Sequence, residues 1–167
     1  LGMLVDRRSS RVTLIASAEG GVNIELAARR SPASILRLPI DPETGLRDED
    51  ANNMAAQLGL EGKAAEQAAR VMSIVYQMFI DNDAALIEIN PLAITREGDA
   101  VALDAVLTFD NNALFRHQDV RALQDDTETN LGELQAAHHG LHYVKLDGNL
   151  GSLACGAGSA LAPVDAI

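Results

Sequence analysis

A mixed α/β (α+β) fold is the one this sequence predicts, on three observations. Apolar runs rich in Val, Ile and Leu fall in pairs around short polar turns, as hairpins do. One long stretch, residues 64–79, carries its apolar residues at helical spacing. Near the end of the chain an apolar run meets a glycine turn and then a helical pattern.

Taken in order, GMLVDRR, SSR and VTLIAS read as a hairpin from Gly2 to Ser17 with a polar turn. Glu19-Gly20-Gly21 breaks it. Asn23 to Arg30 fits a short helix stopped near Ser31-Pro32. Ile35 to Ile40 is a strand, and Asp41-Pro42-Glu43-Thr44-Gly45 is a turn. Asp48 to Leu58 is a short helix with Gly59 just past its end. Ala64, Ala68, Val71, Met72, Val75, Met78 and Phe79 then form one apolar stripe. It is a core face, and its methionines imply no cofactor. Residues 86–110 form a second hairpin, turning at Arg96-Glu97-Gly98, where Gly98 can take positive φ. Leu150 to Ala154 is apolar enough for a strand; Cys155-Gly156-Ala157-Gly158 is a tight turn, and a helical pattern follows.

With 167 residues and 47% apolar content, the chain can build a real core. Its formal net charge of −11 argues against a nucleic-acid partner, which requires a basic face. Cys155 is the single cysteine, so no intrachain disulfide is possible, and a reducing compartment is expected. No apolar run reaches the ~18 residues of a membrane span, and no signal peptide is visible. Both ends fall within apolar or helical patterns, as in an internal fragment of a longer chain.

Glu88, Asn90 and Asp104 sit inside the apolar runs of LIEINPLAITREGDAVALDAVLTFD. Polar groups so placed are costly unless satisfied. Strand periodicity puts Leu86, Glu88 and Asn90 on one face and Ile87 and Ile89 on the other. If Thr95 pairs with Asp99, Asn90 pairs with Asp104 and Glu88 with Val106. Three oxygen-bearing side chains would then share one face. That set suits a hard cation such as Mg²⁺, with phosphate oxygens or waters completing its shell. The alternative is a hairpin with its polar face in water, and a slip of one residue would scatter the set. Asp81 and Asp83 open like a calcium loop, but Leu86 and Leu92 stand where Gly and Glu are required. The turn at Cys155, Gly156, Ala157 and Gly158 could cradle an anion on free backbone N–H groups. Close packing of strand against helix explains such glycines equally well.

The segments ASAEGGVNIE, EINPLAIT, ALDAVLTFDNNALFRH and YVKLDGNLGSLACGAGSA occur in this order. Together they resemble the β-subunit family of succinyl-CoA synthetase (succinate–CoA ligase, ADP- or GDP-forming), and its relatives malate–CoA ligase and ATP-citrate lyase. The resemblance covers nearly the whole chain. It implies the second half of an ATP-grasp domain over residues 1–140, then the first strand and helix of a doubly wound CoA-ligase domain over 141–167. The first ATP-grasp lobe and the rest of the ligase domain would lie elsewhere in a longer subunit, so this piece alone would be inactive. By resemblance, Asn90 and Asp104 match the family's Mg²⁺ ligands. Glu88 matches the residue that steadies a histidine of the partner α subunit during phosphoryl transfer. The turn Cys155–Gly158 matches the helix N-terminus that faces the phosphohistidine. The implied reaction belongs to the tricarboxylic acid cycle: ATP or GTP, succinate and CoA give succinyl-CoA, nucleoside diphosphate and phosphate. The implied location is the bacterial cytoplasm or the mitochondrial matrix.

Four positions depart from the family pattern. Cys155 stands where Asn is usual, Val106 where Lys is usual and Asn111 where Asp is usual. Pro163 stands a few residues into the final helix. These keep two other readings open: a malate–CoA ligase β subunit, or a degenerate non-catalytic paralogue. The remaining polar residues read as structural or solvated. His117 reads as structural, Tyr143 as packing, and His138, His139, His142 and the run Asp125-Asp126-Thr127-Glu128 as solvated.

Overall fold

The computed structural model describes residues 1–21, 31–123, 130–156 and 159. They fall in two compact units, Leu1–Leu123 and Gln124–Ile167. The helix expected over Asn23–Arg30 lies outside the described residues.

In the first unit, β1 (Gly2–Asp6) and β2 (Arg11–Ser17) form the expected hairpin. β3 (Ile35–Pro39) pairs with β2, and β4 (Ala84–Ile89) and β7 (Ala105–Phe109) extend the sheet on the far side of β1. The order is β3-β2-β1-β4-β7, and every pair is antiparallel. A two-stranded sheet, β5 (Leu92–Ile94) with β6 (Ala100–Ala102), continues the arms of the β4/β7 hairpin.

Two helices cover one face of the large sheet. α1 (Asp48–Gln57) ends at Gly59, whose φ of +81° lets Leu60 N–H reach back to Ala55 O at 3.1 Å. α2 (Gly62–Asp81) is the long helix that the apolar stripe required. Alternation along each strand sends Met3, Leu14, Ala16, Ile87 and Ile89 to the helix side, where they are buried with Met54, Ala68, Met72, Val75 and Phe79. Burial of this apolar surface is the main force holding helices to sheet. Met78, assigned to the stripe from sequence, is 40% exposed. It lies about 100° around the helix from Phe79, and Ala69 occupies the opposite flank of the buried face.

The other face of the sheet carries Gly2, Leu4, Ile15, Leu86, Glu88 and Val106, joined across strands by register. After β7 comes a short helix, α3 (Gln118–Arg121).

In the second unit, α4 (Leu131–His138) starts at Asn130, whose side chain accepts the Gly132 N–H at 2.8 Å. It stops at Gly140 (φ +68°), with Leu141 N–H bonded to Ala136 O. Tyr143 packs on Gly132, where an added Cβ would meet the ring at 3.0 Å. Leu150 to Ala154, expected as a strand, has no regular structure. A strand needs a neighbour to complete its ladder, and the described part of this unit contains none.

Candidate metal and phosphoryl-transfer site

The second hairpin adopts the expected register from its tip to Leu86 opposite Thr108, beyond which an irregularity shifts the pairing to Ala84 opposite Phe109. Its tip is closed by Thr95 N–H to Asp99 O at 2.9 Å and Gly98 N–H to Thr95 O at 3.0 Å, with Gly98 at φ +83°. The arms pair Ile94 with Ala100 and Leu92 with Ala102. The ladder breaks at Pro91, which has no N–H. Yet Leu103 N–H still reaches Pro91 O, and Asn90 N–H reaches Asp104 O, both at 3.2 Å. Beyond the break the count resumes with Glu88 opposite Val106. Asn90 therefore stands across from Asp104, with Glu88 two residues earlier on the same face.

Glu88 and Asn90 are half-buried, and Asp104 is exposed. Among the described residues, Asn90 Oδ1 accepts the Gly21 N–H at 2.8 Å, and its Nδ2 donates to Glu88 Oε1 at 3.4 Å. A cavity of about 370 Å³ adjoins them. Ser17, Glu19, Glu88 and Asn90 supply its polar lining, and its other walls are largely aliphatic.

The donor set fits a hard cation. Mg²⁺ prefers oxygen ligands and is commonly held by one or two protein groups, with phosphates and waters supplying the rest. An amide oxygen and a carboxylate on facing arms of the hairpin meet that need. Among the described residues no group of three or more His, Cys, Asp and Glu is placed to hold a metal on its own. An ion held by Asn90 and Asp104 would complete its shell with phosphate oxygens or waters. Val106, opposite Glu88, is 50% exposed and puts no charge on this face.

At the other end of β4 lies a polar cluster. Asp83, at φ +49°, turns the chain out of α2. Its carboxylate accepts two hydrogen bonds from Arg116 at 2.7 Å and meets His117 Nε2 at 2.6 Å. Its backbone oxygen accepts the Asp110 N–H. The Arg116 hydrogen bonds, then that of His117, pull the Asp83 pKa from 3.8 down to about 2. His117, with its side chain 15% exposed, is thus a structural partner, as its sequence context indicated.

Cys155 and Gly156 lie in the second unit; Cys155 is exposed and Gly156 has φ +117°. Ala157 and Gly158 lie outside the described residues. Sequence reasoning missed two contacts. The Gly20-Gly21 turn, read only as a break, touches the Asn90-Pro91 corner. Asp83, read only as a failed calcium loop, is the anchor of Arg116 and His117. Neither has a local periodic signal.

An ATP-grasp domain model matches residues 1–94. The chain is 46% identical over 167 residues to the succinate–CoA ligase [ADP-forming] subunit β of Paramagnetospirillum magneticum, covering 100% of this chain and 42% of that protein. The protein of the same name from Myxococcus xanthus is 46% identical over all of this chain and 43% of its own length. That from Rickettsia conorii is 44% identical over 99% of this chain and 43% of its own. This chain thus spans well under half the length of these curated relatives. Among solved structures, ATP citrate lyase from Methanothrix soehngenii in complex with citrate and coenzyme A superposes with a TM-score of 0.61. The match covers 82% of this chain and 31% of that one at 16% identity, a likeness of fold alone.

Proposed function

The chain belongs to the ATP-grasp family, and from that premise we propose that it is the part of a succinate–CoA ligase β subunit that carries the metal-binding wall of the phosphoryl-transfer centre. In this reading residues to about Gly140 complete the ATP-grasp region, and 141–167 open the doubly wound CoA-ligase domain. The observation that carries it is the register of the second hairpin, which sets Asn90 against Asp104 with Glu88 beside them. The similarity of the whole given sequence to part of the ligase β subunits supports the choice of reaction. The ADP-forming names of those relatives support ATP over GTP as the nucleotide in this reading.

Asn90 Oδ1 and the Asp104 carboxylate are the oxygens that would hold Mg²⁺, which when bound neutralises charge on the nucleotide phosphates. The partner α subunit supplies a histidine that takes the γ-phosphoryl group from ATP. Glu88 accepts the N–H of that imidazole, which fixes the tautomer and leaves the other nitrogen as nucleophile. The phosphoryl group then passes to a succinate carboxylate oxygen. The CoA thiol attacks the resulting acyl phosphate, giving succinyl-CoA and releasing phosphate. By resemblance, the segment Cys155, Gly156, Ala157 and Gly158 would offer backbone N–H groups to the phosphate. The chain's charge of −11 is no obstacle, because a bound cation and helix N-termini set the local potential. In this reading the step is that of the tricarboxylic acid cycle, and the compartment is the bacterial cytoplasm or the mitochondrial matrix.

The test is phosphorylation of the α-subunit histidine from labelled ATP in the intact heteromer. Asp104→Ala should abolish it with the heteromer still assembled. Glu88→Gln, which keeps shape and removes charge, should slow transfer far more than it weakens ATP binding. Labelling of Asp104→Ala at the wild-type rate would sink the proposal.

A further inference from the structure

The geometry points to Gly20 and Gly21 as positioning residues that hold the Asn90 amide with its oxygen, rather than its nitrogen, available to a divalent cation. The inference rests on the reading of Asn90 and Asp104 as that cation's ligands. An Asn side chain presents an acceptor and a donor of nearly equal shape, and only the oxygen ligates Mg²⁺. Something must therefore select between two orientations of the amide. Here the Gly21 N–H donates to Oδ1 at 2.8 Å, while Nδ2 faces Glu88 Oε1 at 3.4 Å. Turned by 180°, the amide would set N–H against N–H at Gly21 and oxygen against carboxylate at Glu88. Both contacts become repulsive, and of the two the Gly21 contact is the shorter and the stronger. An amide oxygen has two lone pairs, so accepting the Gly21 N–H is compatible with ligation.

The turn can deliver this N–H only by lying close on the hairpin corner. A Cβ built on Gly20 would stand 3.2 Å from Pro91 Cβ and 3.9 Å from Pro91 Cα. The proline ring is rigid and cannot swing aside, so any side chain at Gly20 lifts the turn. Gly21 sits at φ +70°, a backbone conformation that aims its N–H at the cost of excluding most side chains. Two residues nearly seventy positions earlier in the chain thus control which atom of Asn90 meets the ion.

The experiment titrates Mn²⁺ into the intact heteromer and follows the free ion by electron paramagnetic resonance. Gly20→Val should raise the Mn²⁺ Kd roughly tenfold, the usual scale for losing a partner that orients a ligand. Gly20→Ala, which needs a shift of only a few tenths of an ångström, should act in the same direction with a smaller effect. It carries the test if the valine variant fails to assemble. An Asn90→Asp background presents oxygen in both orientations, so there Gly20→Val should change Kd by less than about threefold. An unchanged Kd in both Gly20 variants, with Asp104→Ala still weakening Mn²⁺, overturns this inference alone. An equal loss in the Asn90 and Asn90→Asp backgrounds overturns it too, since the turn would then be merely structural. An unchanged Kd in Asp104→Ala removes the ligand assignment and this inference with it.

Discussion

Replacing Gly98 by alanine asks whether the second hairpin is a rigid mount for the Asn90–Asp104 pair. Gly98 lies at the tip, at φ +83°, where an L-residue costs about 1–2 kcal/mol. The added Cβ would also stand 3.2 Å from Lys63 Cβ and 3.5 Å from Ala64 N, at the start of α2. Neither atom is the far end of a flexible chain, so the contact pushes the cost toward the upper end of that range. The same docking carries the Lys63–Asp99 ion pair at 2.8 Å, half-exposed and worth at most about 1 kcal/mol. A penalty of about 1–2 kcal/mol on the closed hairpin becomes roughly five- to thirtyfold more frequent opening. Amide hydrogen exchange reads that opening residue by residue. Exchange at Thr95, Leu103 and Asn90, whose N–H groups close the hairpin, should accelerate by this factor. Met3 and Leu14, at the centre of the large sheet, should keep their wild-type rates. Acceleration of all these amides together, or of none, would refute the picture of a hairpin anchored separately at its tip.

Two further outcomes follow from residues outside the hairpin. Asp83 has a folded-state pKa near 2 against an ordinary 3.8, so its ties to Arg116 and His117 stabilise the fold fully above the ordinary value and are lost as pH falls toward 2. Asp83→Asn should therefore lower the urea midpoint at pH 5 and flatten its decline between about pH 4 and 2; a variant whose decline matches the wild type would remove Asp83 as the cause. Cys155→Asn, which restores two donors and an acceptor beside the glycine turn, should lower the Michaelis constant of the heteromer for succinate about tenfold. An unchanged or raised constant would detach Cys155 from acid binding.

How much the sequence disclosed depended on the range of the signal. The hairpin register was legible because a three-residue turn with glycine fixes which residues face each other, and period two carries that choice outward. Asn90 and Asp104 inherited their pairing from Arg96-Glu97-Gly98. The α2 stripe was legible for the same local reason, save for Met78, where the helix turned its edge to water. The Gly21–Asn90 contact was not legible, since it joins β2's exit to β4's exit and no period links them. Asp83 with Arg116 and His117 is a contact of the same kind, some thirty residues apart. Leu150–Ala154 failed differently: composition favours a strand, but a strand also needs a neighbour to pair with.

The two sheets of the hairpin share one count through Pro91, and that sets a rule of parity for its length. One residue inserted into a single arm between Pro91 and Leu103 would turn the following side chains over and put Asp104 on the opposite face from Asn90. Two residues, one added to each arm, would lengthen the hairpin by about 3.4 Å and leave the pair where it is. Natural or engineered variation in this loop is therefore free in reach but quantised in number: matched additions can lengthen the arm, and single ones disarm the site.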